Sequence, residues 1–235
     1  MLKVCDVDVD IEASRILRKV TLEAAPGELV CLIGRNGAGK TTTLRTVMGY
    51  RRPAAGTITL GGETIAGLPT HAIAARGVGY APEESGVFGD LTVAENIELA
   101  TWTRPGGRPA AERVARAYDV FPRLRGFAAR GGTQLSGGER KMLSIARALA
   151  LDPTLLLLDE PFEGLSPAII PQLGESIAAI ARLGPAILLA ESNLHHVPVY
   201  ATRLYVIERG EIVFAGRPEE LRRRPDLARI IGQAL

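Results

Sequence analysis

Four lysines, two cysteines and one tryptophan are all that a chain of 235 residues holds of those types, and aromatic residues make up only 5% of it. Two thiols, Cys5 and Cys31, both inside strand-like runs, argue against a disulfide framework or a metal pair, and buried free cysteines are expected instead. Long hydrophobic runs are missing too. The longest, 155–158 and 186–190, are strand-sized, far short of the roughly 20 residues of a membrane-spanning helix, so the chain is not expected to cross a bilayer by itself. Nor is there an excess of one charge: 28 Lys+Arg against 26 Asp+Glu give a net +2, too little to imply an electrostatic nucleic-acid binder. Asp6, Asp8 and Asp10 stand where a signal peptide would be apolar, and cytosolic residence is the expectation. With 46% hydrophobic and 23% charged residues, the remaining class is a compact globular fold.

Alternation of apolar and polar residues over 2–9, 16–24, 28–33 and 57–60 predicts a strand-rich opening, closed by Gly61-Gly62. Buried-strand runs at 154–158 and 185–190 flank a helical stretch at 167–183, a spacing that predicts a parallel sheet with crossover helices. The segment 86–134 reads as helices with loops (91–100 and 110–118, broken at 104–109) inserted into an α/β core. Near the end, 204–207 and 211–214 flank Arg209-Gly210 as a hairpin, and 218–224 reads as a closing helix whose Arg222–Arg224 run is a solvated face. The expected division is 1–85, 86–134 and 135–235 of one domain.

Gly34-Arg35-Asn36-Gly37-Ala38-Gly39-Lys40-Thr41 fits G-x-x-x-x-G-K-[ST], between an apolar strand and a helical run that includes Thr42. Glycines let consecutive N–H groups and a helix N-terminus close on phosphate oxygens; Lys40 adds a point charge and Thr41 a hydroxyl suited to Mg²⁺. The run Leu155–Leu158 ends in Asp159-Glu160, where strand ends of α/β sheets meet their ligands. Asp159 is placed to hold Mg²⁺, and Glu160 to polarise water attacking the γ-phosphate. Ser136 and Glu139 form a capping box. Gly137 and Gly138, poor helix formers, are unneeded for the cap and suit close approach to an anion.

Leu135-Ser136-Gly137-Gly138-Glu139, between the phosphate loop and the Asp159-Glu160 strand, resembles the signature of the ATP-binding subunits of ABC transporters. That resemblance implies a P-loop NTPase cassette: a RecA-like α/β core, an N-terminal antiparallel β lobe and an inserted helical subdomain. It also implies a cytoplasmic ATPase, peripheral on the inner face of the cell membrane. Its partners would be transmembrane permease subunits, indirectly a solute-binding protein, and a second ATP-binding subunit, a paralogue or a second copy. Ser136, Gly137 and Gly138 of one subunit would then close over ATP held by the other.

Finer stretches, Tyr80-Ala81-Pro82-Glu83 and Phe162-Glu163-Gly164-Leu165-Ser166-Pro167, resemble the group serving branched-chain amino acid, urea or amide uptake. Glu83 stands where most members have Gln and adds a possible Mg²⁺ ligand. Two further departures are Asp10-Ile11, where the family places an adenine-stacking aromatic, and Ser192, where it places a switch His. Ser192 can hydrogen-bond but carries no positive charge; His195 and His196 read as surface or packing groups. The alternatives are a soluble mechanical ATPase of the same superfamily and a weakly hydrolysing regulatory subunit.

Overall fold

A computed structural model describes residues 1–104, 107–221, 223, 224, 227 and 231. The first two strands, β1 (Leu2–Ile11) and β2 (Ser14–Ala24), form a hairpin. Then come β3 (Leu29–Ile33), α1 (Lys40–Val47), β4 (Ala55–Leu60), β5 (Glu63–Thr64), α2 (Thr70–Ala75) and β6 (Val78–Ala81). Three helices follow: α3 (Val93–Ala100), α4 (Ala110–Val120) and α5 (Pro122–Arg125). The rest is α6 (Gly137–Ala150), β7 (Leu155–Asp159), α7 (Ile170–Arg182), β8 (Ala186–Glu191), β9 (Arg203–Glu208), β10 (Glu211–Gly216) and α8 (Pro218–Leu221).

Two sheets result. One is antiparallel, in the order β2-β1-β4-β5; the other runs β10-β9-β3-β8-β7-β6, parallel except for the β9–β10 hairpin. The continuous apolar runs resolve into two faces by the period of two. Leu29, Cys31, Ile33, Leu156, Leu158, Ile187 and Leu189 pack toward α3, α4, α6 and α7. Val30, Leu32, Leu155, Leu157 and Leu188 pack toward the antiparallel sheet and α1. Each such leucine contributes about 1.5–3 kcal/mol by leaving water.

Register matters most for function. Ile33 pairs with Glu191, Asp159 with Ala190, and Ala81 with Leu158, so β3, β6, β7 and β8 all end at one edge. The loops that follow them begin with Gly34, Pro82, Glu160 and Ser192.

Some expectations need correction. Cys31 is buried, but Cys5 is exposed: Leu2 and Val4 point inward, a register shift with Asp6 at φ +50 intervenes, and the inward phase resumes at Val7 and Val9. Strands β5 and β6, two and four residues long, are additions to the expected elements, too short for periodicity to resolve. The closing helix covers Pro218–Leu221; Arg222 of its expected extension lies outside the described residues, as do residues 105 and 106 of the 104–109 break.

Leu157→Ala should lower the unfolding free energy by roughly 2–5 kcal/mol. Val213→Ala, on the exposed edge strand β10, should change it by less than about 0.5 kcal/mol. Denaturant midpoints check this; equal losses would place the core elsewhere.

Candidate functional site

The phosphate loop starts from the α1 N-terminus. Gly39, its cap, sits at φ +114, and a Cβ there would come 2.8 Å from the Leu17 side chain, so only glycine lets the loop turn against β2. Among the described residues the amides of Gly37, Gly39, Lys40, Thr41 and Thr42 have no acceptor, while that of Thr43 donates to Gly39 O at 2.9 Å. These inward donors are what an anion such as a phosphate would satisfy. Lys40 is 3% exposed. Its ammonium donates to Gly34 O at 2.7 Å and Arg35 O at 3.2 Å, and pairs with Glu160 Oε1 at 3.1 Å.

Around this ion pair the other strand ends converge. Ser192 Oγ donates to Glu160 Oε2 at 3.0 Å. Thr41 Oγ1 donates to Asp159 Oδ1, and the Tyr80 hydroxyl to Asp159 Oδ2, each at 3.0 Å. Burial pushes the Asp159 carboxyl above its ordinary value, against the pull of those two bonds. Partial burial, then the charges of Glu160 and Asp159, raise Glu83 as well. The Asp159 and Glu83 carboxyls, with the Thr41 hydroxyl beside them, are hard oxygen donors of the kind that suits Mg²⁺. Among the described residues no three His, Cys, Asp or Glu side chains converge closely enough to hold an ion unaided; phosphate oxygens would complete the shell.

A pocket of about 440 Å³ opens here, lined by Asn36, Gly37, Gly39, Lys40, Thr41, Thr42, Glu83 and Glu160, with Ile11 and Ile16 on one wall. Of the residues read as contacting ATP, Gly34, Arg35 and Ala38 do not line it. Gly34 is packed against Ile207, and Arg35 and Ala38 face an outer depression with Arg209. Ser136, Gly137 and Gly138 are not brought to it either. The Ser136 cap closes with Glu139 in both directions, at 3.3 and 2.8 Å, and Gly138 lies against Ile169 and Leu165. A larger cleft, about 580 Å³, lies at the opposite strand ends among Arg76, Arg104, Arg108 and Arg116.

Three contributors escaped sequence reasoning. Tyr80 belongs to the Tyr80–Glu83 stretch, and no local spacing points its hydroxyl to Asp159. Lys141 donates to the carbonyls of Glu83 and Glu160 at 2.7 and 2.9 Å; the signal was a rare lysine among Met142, Leu143 and Ile145 on a helix. Glu191 is fully buried, accepting from Phe162 N at 3.2 Å and contacting His196 Nδ1 at 3.2 Å. His196 also packs on Phe162, with centroids 5.4 Å apart, while His195 is exposed.

Residues 17–163 match the family model described as ABC transporter. BraG of Pseudomonas aeruginosa, a high-affinity branched-chain amino acid transport ATP-binding protein, is 41% identical over 198 residues, 84% of either chain. LptB of Acidithiobacillus ferridurans, a lipopolysaccharide export system ATP-binding protein, is 37% identical over 208 residues, 88% of this chain and 86% of its own. Among solved structures, an ATP-binding subunit of an ABC transporter superposes at TM-score 0.83 with 30% identity, covering 96% of this chain and 93% of that one. An ATP-binding cassette of another ABC transporter reaches 0.87 over 99% and 98% of the two chains; at 22% identity it shows the fold alone.

Burial raises Glu191 from 4.5 to about 8. Between those values the folded chain holds a proton there that the unfolded chain has released, so stability falls as pH rises through that window. Glu191→Gln should flatten this part of the thermal midpoint against pH; an unaltered slope would mean that Glu191 is ionised in the fold.

Proposed function

We propose that this chain, which belongs to the ABC transporter family and is an ATP-hydrolysing, ATP-binding subunit, energises uptake of branched-chain amino acids or a related small solute. Likeness to BraG supports that substrate class, as do the stretches at Tyr80–Glu83 and Phe162–Pro167. Likeness to LptB favours a second reading, lipopolysaccharide export. The assignment of the nucleotide site rests on one observation: Lys40, Thr41, Asp159 and Glu160 meet at one sheet edge.

In this reading the amides of Gly37 and of residues 39–42, together with the Lys40 ammonium, bind the phosphates. Phosphate oxygens entering the loop compete with Glu160 for the Lys40 ammonium, and binding releases the Glu160 carboxylate. Glu160 then accepts a proton from the attacking water, while Ser192 holds its other oxygen. Thr41, Asp159 and Glu83 would hold Mg²⁺, which when bound neutralises phosphate charge. Adenine would rest on Ile11 and Ile16, without aromatic stacking worth roughly 1–3 kcal/mol by nucleic-acid analogy.

Ser136, Gly137 and Gly138 are assigned to the ATP of another subunit, a paralogue or a second copy; members of this family dimerise and work with transmembrane permeases. A groove beside the Glu83 loop, where Tyr50 and Phe88 are exposed, is the face we assign to the permease. Among the described residues no helix is long and apolar enough to cross a membrane, and membrane attachment through the permease, on the inner face, belongs to the same proposal. So does the division into 1–85, 86–134 and 135–235.

Lys40→Ala should abolish ATP binding, and Glu160→Gln should leave binding intact while stopping turnover; equilibrium binding and single-turnover assays check both. In cells lacking the native chain, leucine uptake should return with the parent and with neither variant. Unchanged leucine uptake, with lipopolysaccharide retained at the inner membrane, would select the export reading.

A further inference from the structure

Glu160 is a non-glycine residue at φ +44, in the left-handed region that costs an L-residue roughly 1–2 kcal/mol. Its geometry is therefore held by its surroundings. Its N–H donates to Ala190 O at 2.9 Å, which fixes one side of the residue to β8. The other side is held by Lys141, whose ammonium donates to Glu160 O at 2.9 Å. That same ammonium donates to Glu83 O at 2.7 Å.

Lys141 stands on α6, just after the Ser136 cap, and is 5% exposed. Its stem lies on the buried side of the helix with Ser144 and Ile145. A buried ammonium is costly unless its donors are used and acids lie near. Burial pulls the Lys141 ammonium below its ordinary value, against the opposing charges of Glu83, Glu191, Asp159 and Glu160, and two of its donors are used. An Ile or Met would serve packing there more cheaply, so the cation is explained by what it binds.

We propose that Lys141 is a positioning residue for hydrolysis: its ammonium joins the Glu83 and Glu160 carbonyls at one point and thereby sets the aim of the Glu160 carboxylate. The inference rests on the reading of Glu160 as the acid that polarises water. Because the clamp grows from α6, a shift of that helix's N-terminal end moves the Glu160 peptide and the Glu83 loop together. The carboxylate's contacts with Lys40 and Ser192 are then a consequence of where Lys141 holds the main chain.

The test compares Lys141→Met, Lys141→Arg and Glu160→Gln in the full chain, reading kcat, KM, affinity for a non-hydrolysable ATP analogue and thermal midpoint. Methionine keeps the stem and removes every donor; arginine restores donors. Misaiming by about 1 Å can cost on the order of 100-fold, so Lys141→Met should lower kcat by roughly 10- to 100-fold. KM and analogue affinity should hold within about two-fold, and Lys141→Arg should recover most of kcat. A folded Lys141→Met with parental kcat, beside an inactive Glu160→Gln, overturns the role of Lys141 and leaves that of Glu160 standing. Full turnover by Glu160→Gln overturns the reading of Glu160 instead. Loss of affinity in step with kcat would mark a structural role and also overturn the proposal. Should Lys141→Met fail to fold, Lys141→Leu, which likewise carries no donor, takes its place with the same expected split, and parental kcat in that variant overturns the clamp.

Discussion

Two charges, Lys40 at 3% and Glu160 at 7% side-chain exposure, are held 3.1 Å apart with little water around them. Such a pair is a weak source of stability, because desolvating both ions offsets much of their attraction; losing one partner, however, costs roughly 3–5 kcal/mol. The surroundings therefore have to serve both ions at once. Lys40 receives the carbonyls of Gly34 and Arg35, and Glu160 receives the Ser192 hydroxyl. The arrangement is tolerable at rest, and in the proposed function it is open to exchange, since a phosphate oxygen would offer Lys40 a negative charge as Glu160 does.

The pair exists only because the sheet aligns its strand ends. Lys40 and Glu160 lie far apart in sequence, yet β3 and β7 are each paired in parallel with β8. Gly34 N bonds to Glu191 O and Glu160 N to Ala190 O, at 3.2 and 2.9 Å. A slip of one residue would send Leu156 and Leu158 to the wrong face, so core packing and site geometry are enforced by the same register. That is why a site this polar can sit beside a sheet whose central strands β7 and β8 are apolar up to Asp159 and Glu191 at their ends.

What could be read along the chain was whatever spacing encodes locally. The glycine-lysine loop and the Asp159-Glu160 strand end were legible because each carries its chemistry within eight residues of an apolar strand. The alternation that makes β1 and β2 was legible for the same reason. Tyr80, Glu191 and Lys141 were not, since Tyr80 meets Asp159 across 79 residues and Lys141 meets Glu83 across 58. Their significance lies in contacts between strands and helices, and no short motif announces a main-chain carbonyl as a partner. Cys5 shows the limit within a strand: a register shift decides its exposure, and only pairing with β2 and β4 reveals the shift.

The N-terminal end of α6 joins two directions of the molecule. Ser136 and Gly137 are exposed and do not line the pocket at the chain's own phosphate loop, whereas Lys141 faces inward to Glu83 and Glu160. At 1.5 Å per residue the cap and Lys141 are separated by only about 7.5 Å along the axis. If the exposed end closes over the phosphate of another subunit, a displacement there is carried by a rigid turn of helix to the carbonyls that hold Glu160. The two nucleotide sites of such a pair would then be linked through one helix terminus per subunit. In the proposed reading Ile11 and Ser192 supply neither a stacking ring nor a cation, which would leave this chain's own pocket dependent on the loop amides, Lys40 and the aim of Glu160. A site with fewer contacts has fewer ways to tolerate misalignment, which makes the main-chain clamp more consequential here than in a pocket that also stacks adenine and places a cation on the γ-phosphate.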